Sequence, residues 1–190
     1  MSFIKNIISH KNINQTVFGL SDLAYKDYTG NKLNSAIKYA VKQNELIRLS
    51  KGLYSLSKDY SKLEFANKFR SPSYISLYTV LSNNGVVFQP YTSIYVVSNR
   101  SFESEIDNQK YIYRKIKDSI LLNPFGINNI NYLTIASPER AICDKLYLDN
   151  EEYFDNLRNI DWELINRINT EVYSKNRVIS KWIQKNTKQI

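Results

Sequence analysis

The sequence predicts an α+β protein: an N-terminal winged helix-turn-helix, then a mixed α/β C-terminal domain that ends in several helices. Three observations carry this expectation. Residues 32–44 repeat apolar side chains at helical spacing and lead directly into two short alternating runs around Ser50-Lys51-Gly52. Between residues 63 and 136, strand-like and helix-like runs mix. From Ser137 onward the spacing is helical almost throughout.

The elements follow in order. Phe3, Ile4, Ile7 and Ile8 fall at helical spacing and predict a short first helix. A second short helix is expected within residues 16–24, with Ser21 as its N-cap. The turn Tyr28-Thr29-Gly30-Asn31 separates it from a third helix over about Lys32–Asn44, where Leu33, Ile37, Ala40 and Val41 share one face. Leu46–Leu49 and Leu53–Leu56 then read as the strands of a hairpin, with Gly52 supplying the positive φ of a tight turn. Lys58–Lys62 reads as a polar linker, which divides the chain into domains 1–60 and 61–190. Beyond it, helices are expected at Leu63–Phe69 and Ile75–Leu81, and strands at Ser93–Val97, Tyr111–Lys115 and Tyr132–Ala136. Ser137-Pro138-Glu139 is a helix start, with Pro at the first helical position and an acid in the first turn. Further helices are expected over about 138–148, 151–158, 161–169 and 172–187.

Composition narrows the chemistry. At 190 residues and 43% hydrophobic, the chain can bury a core without a disulfide or metal. The 15 tyrosines bring rings that pack while keeping a hydroxyl for water or a partner. Cys143 is the only cysteine, which excludes an intramolecular disulfide and suits a small buried thiol. His10 is the only histidine, so histidine triads and two-histidine metal sites are excluded. Glycines 19, 30, 52, 85 and 126 stand singly and build no phosphate loop. No metal, no cofactor and no catalysis are therefore expected. No signal-peptide pattern and no long apolar run occurs, so a cytoplasmic protein without membrane attachment is expected. Acids recur at Asp144, Asp149, Glu151, Glu152, Asp155, Asp161 and Glu163. Their spacing fits solvated helix faces or a docking surface, and a carboxylate nuclease site is the enzyme-class alternative.

The net charge of +8 points to an acidic partner. Residues 1–60 carry nine Lys/Arg against four Asp/Glu, so the excess is concentrated there. On the third helix the face opposite the apolar stripe carries Asn31, Ser35, Lys38, Tyr39 and Lys42, flanked by Lys32 and Asn34. Lysines neutralise phosphates, while Asn and Ser bond to base edges. A recognition helix reads the major groove with its N-terminal residues, so Asn31, Asn34 and Ser35 are candidates for readout. Lys38 and Lys42 are candidates for backbone contact, and Arg48, Ser50 and Lys51 would reach adjacent phosphate or the minor groove. Double-stranded operator DNA is the expected partner. At the other end, Lys175, Arg177, Lys181 and Lys185 follow the last acid, Glu171, and form a second candidate surface for nucleic acid or an acidic protein.

Three segments resemble a known family. Glu45–Tyr54 resembles the wing of the AbiEi-type antitoxins, in which a basic hairpin ends in Gly-Leu/Val-Tyr. Tyr74–Gly85 is similar to that family's first conserved helix after the linker, and Ser137–Asp144 resembles its Ser/Thr-Pro-Glu-Arg-Ala signature. They occur in family order over about residues 15–150. The resemblance implies a type IV abortive-infection antitoxin that represses its own operon through the N-terminal domain. It further implies a C-terminal domain that counteracts a nucleotidyltransferase-type toxin without a stable complex. Residues 137–144 also have a purely structural role open to them, as a helix start followed by packing positions. The alternative is a winged-helix regulator whose C-terminal domain senses a ligand or protein, with no toxin partner.

Overall fold

Leu33, Ile37 and Ala40 are buried one helical turn apart, and this stripe organises the N-terminal part of the chain. The computed structural model describes residue 8 and residues 15–26, 28–150 and 152–187. The expected first helix and His10 lie outside them, apart from Ile8, which is helical and buried. Helix α1 (Leu20–Leu23) and helix α2 (Gly30–Lys42) pack with a three-stranded antiparallel sheet. Its strands β1 (Phe18–Gly19), β2 (Ile47–Ser50) and β3 (Leu53–Ser55) lie in the order β1-β3-β2. Phe18, Leu23, Leu33, Ile37, Leu46 and Tyr54 form the core, each burial contributing on the order of 1.5–3 kcal/mol. The cap of α1 is Gly19, not Ser21: Gly19 N donates to the Asp22 carboxylate at 2.8 Å.

Helix α3 (Lys62–Phe69) belongs to this first unit, because the chain divides after Phe69 and not at residue 60. The supposed linker is tied down. Ser61 N donates to Thr16 Oγ1 at 2.8 Å, and Glu64 accepts from both the amide and the hydroxyl of Thr16 at 2.7 Å. Lys68 Nζ donates to Val17 O at 2.7 Å and to Asp22 Oδ2 at 2.8 Å.

The second unit, from Arg70, is a six-stranded mixed sheet with helices. Its strands are β4 (Ser73–Ile75), β5 (Ile94–Ser98), β6 (Phe102–Ile106), β7 (Gln109–Lys115), β8 (Ile127–Ile130) and β9 (Leu133–Ala136). They lie in the order β6-β7-β5-β4-β9-β8. β7 runs parallel to β5, and β4 parallel to β9; the other neighbours are antiparallel. Helices are α4 (Leu77–Asn83), α5 (Asp118–Leu121), α6 (Pro138–Asp149), α7 (Trp162–Glu171) and α8 (Arg177–Thr187). α6 is central and packs against α4, α7 and α8. Ser137 caps it by accepting from Arg140 N at 3.2 Å, with Pro138 in the first turn as the spacing predicts.

Three expected helices begin or fail differently. Residues 73–75 form a strand inside the sheet, where Tyr74 and Ile75 are fully buried, so the helix starts only at Leu77. Residues 152–160 are not helical: Asp155 N and Asn156 N donate to Val86 O at 2.9 and 3.1 Å. The last helix begins at Arg177 rather than 172, because Ser174 and Lys175 turn through positive φ. The edge strands β6 and β8 were not expected. β8 is short, and residues 119–138, which contain it, carry no charge.

Candidate nucleic-acid interface

In the first unit, burial of the α2 stripe leaves Asn31, Lys32, Asn34, Ser35, Lys38, Tyr39 and Lys42 exposed. Tyr39 keeps 62% of its surface. The Lys32 ammonium lies 4.7 Å from the centre of the Tyr28 ring, which orders that cation. On the hairpin, Arg48 and Lys51 are exposed and Ser50 is half-buried. Arg48 Nε donates to Ser50 O at 3.3 Å, and the strand pairing shifts register between these two residues. The guanidinium is therefore held at a bulge, beside the tip that Gly52 turns with φ +80°. From Tyr28 to Ser55 there are five cations and a single acid, Glu45. Among the described residues none of the five is engaged in a salt bridge, so all are available to phosphate. Sequence reasoning missed Tyr28, whose role shows only once the turn brings its ring under Lys32.

In the second unit, the Ser137–Asp144 motif builds an interior network. Arg140 and Asp144, one turn apart on α6, are both fully buried and lie 3.6 Å apart. Asp144 accepts from Tyr74 at 2.9 Å, from Ser76 at 2.7 Å and from Tyr173. Arg140 donates to the carbonyls of Phe125 at 2.7 Å and Ile120 at 2.8 Å, and to Tyr74 at 3.2 Å. Burial pushes the Asp144 pKa up, against the pull of Arg140 and the three hydroxyls. Burial works against the Arg140 cation too, but the groups around it raise its pKa overall. The network joins β4, α6 and the chain after α7. Asp144 has no exposed oxygen to offer, so the nuclease alternative loses its central residue.

Three of the other acids, Asp149, Glu152 and Asp161, are also engaged by the fold. Asp149 accepts from Arg114 and Lys145, each at 2.7 Å, and these bonds outweigh burial and lower its pKa. Glu152 pairs with Lys145 at 2.7 Å and accepts from Tyr78 at 2.9 Å. Burial raises the Tyr78 phenol to about 12. Asp161 caps α7 by accepting from Leu164 N at 2.9 Å. Glu151 lies outside the described residues.

The four C-terminal cations are all exposed, but they do not act as one set. Lys181 and Lys185 line an open groove of about 680 Å³, together with Glu152, Tyr153, Trp182 and Val178. Lys175 and Arg177 are not part of its lining. Tyr153 went unnoticed in the sequence, since it lies about thirty residues from the other side of the groove. No family model matches the chain, and no curated protein matches it.

Proposed function

We propose that the chain is a DNA-binding antitoxin of the AbiEi type, with a winged helix-turn-helix in its first unit, acting in the cytoplasm. The observation that carries this is the unpaired cationic face of α2 beside the hairpin tip at Lys51, together with the three family-like segments in order. On this proposal Asn31, Asn34 and Ser35 read bases, Lys38, Lys42 and Lys51 hold phosphates, and the protein represses its own operon. The second unit counteracts a nucleotidyltransferase-type toxin without forming a stable complex. Among the described residues, no helix is long and apolar enough to cross a membrane.

The test is binding of the full chain to duplex DNA from upstream of its own gene, measured by fluorescence anisotropy over a series of salt concentrations. Replacing Lys38, Lys42 and Lys51 by Ala should flatten the log–log salt slope by about 0.9 per lost contact. An unchanged slope in the triple variant would remove these lysines from the interface. Co-expression with the neighbouring gene tests the second half: growth should be rescued by the full chain and by residues 70–190. The groove beside α8 favours the alternative, a regulator with a ligand-sensing second unit. A neighbouring gene that encodes no nucleotidyltransferase-like protein would decide for it.

A further inference from the structure

The groove beside α8 brings two lysines and two aromatic rings together around one concave space. Lys181 and Lys185 are one helical turn apart and form no salt bridge among the described residues. At that spacing their Cβ atoms are about 5–6 Å apart, so one anion or two linked phosphates can bridge them. Trp182 stands between them in sequence and is held from two sides. Phe154 meets it edge-on at 5.4 Å, and Trp162 stacks on it at 5.7 Å. That fixes the indole as a rigid wall before any ligand arrives. Across the groove Tyr153 is 78% exposed, an aromatic ring left open to solvent. Glu152 also lines it, with its charge balanced by Lys145 and an oxygen bonded by Tyr78, which tempers its repulsion of an anion. The volume, about 680 Å³, lies within the range of small-molecule sites.

We propose that this groove binds a nucleotide, with the base against Tyr153 and Trp182 and the phosphates on Lys181 and Lys185. Cations alone would suit any polyanion; cations interleaved with open aromatic rings suit a phosphate that carries a base. The same chemistry is offered by a free nucleotide and by a single strand. The proposal rests on the second unit alone and assumes nothing about duplex DNA or a toxin.

The chain's only two tryptophans are Trp162 and Trp182, stacked on one another at the groove, so their fluorescence reports on it directly. The full-length protein is titrated with ATP, GTP, CTP and UTP, with inorganic triphosphate, and with a single strand of about ten nucleotides. Saturable quenching by at least one nucleotide with Kd at or below about 1 mM is expected. Tyr153→Ala, and separately the pair Lys181→Ala and Lys185→Ala, should weaken it about tenfold or more, the scale of one stacked base. The pair Lys175→Ala and Arg177→Ala should change nothing, and circular dichroism should show every variant folded. A strand no tighter than the best mononucleotide identifies the free nucleotide as ligand; a strand at least about tenfold tighter identifies single-stranded nucleic acid. Either result upholds the groove. Three results overturn it: no saturable quenching, quenching indifferent to the groove variants, or inorganic triphosphate competing as well as the nucleotides. Duplex binding that survives the Lys181 and Lys185 changes separates this outcome from the fate of the α2 surface.

Discussion

Gly126 has φ +78°, and a Cβ built on it would come within 3.0 Å of Arg140 Cβ and 3.1 Å of Ile168 Cδ1. The glycine is thus the mould against which the buried arginine is set. Gly126→Ala is expected to destabilise the second unit by about 1–3 kcal/mol, read from chemical denaturation. Gly85→Ala, at φ +64° but in open space, should cost only the backbone strain of about 1–2 kcal/mol. Equal losses would mean that the contact with Arg140 yields freely. The carboxylates divide by sign. Asp149, paired with Arg114 and Lys145, has a lowered pKa, so its contribution is present above the ordinary value of 3.8 and disappears as pH falls through the folded-state pKa. Asp144 is raised by burial and works the other way, opposing folding as pH climbs through its own window. Asp149→Asn should therefore shrink the difference in denaturation midpoint between about pH 6 and about pH 3. A variant with the same acid dependence as the parent would show that the pair adds nothing.

At the scale of elements, α3 is the part whose allegiance the sequence concealed. Its polar approach looks like a linker, yet Glu64 and Lys68 bind it to residues 15–22. A fragment ending at residue 69 should melt at a higher temperature than one ending at residue 60, followed by circular dichroism. Identical melting would make α3 a passenger. The α2 face was readable in advance because exposure there follows the 3.6-residue period that places Leu33, Ile37 and Ala40 inside. Tyr74 and Ile75 were not, because a three-residue strand is too short to show a period and the helical pattern beyond it runs on backward. The missed edge strands did leave a trace. Asp107-Asn108 and Asn131-Tyr132 are two-residue turns with positive φ at both positions, the geometry that joins tight hairpins. Of the groove proposed to hold a nucleotide, only Lys181 and Lys185 were legible, since Tyr153 reaches it on an irregular segment that the spacing predicts to be helical.

The whole molecule divides its charge unevenly. Residues 1–69 hold eleven Lys/Arg against five Asp/Glu, and residues 70–190 hold fifteen against thirteen. Of the net +8, then, six charges lie in the first unit. Many ions of the second are already matched, as in Arg114 with Asp149, Lys145 with Glu152 and Lys110 with Glu103. Long-range attraction of a polyanion is therefore a property of the first unit, and whatever the second unit binds must be held by local fit.

That same near-neutrality has a consequence at the sheet edge. β8 is an edge strand of the sheet, and its last residue Ile130 and the adjacent Tyr132 are 54% and 52% exposed. Charged side chains are one device that keeps such borders from recruiting a neighbour, and residues 119–138 carry none. Colloidal behaviour should follow from this strip: crowding, or salt that screens the first unit's charge, brings molecules together along β8. Ile130→Lys is expected to make the second virial coefficient more positive in static light scattering, with little change in stability. If the coefficient does not move, attraction between molecules arises elsewhere on the surface.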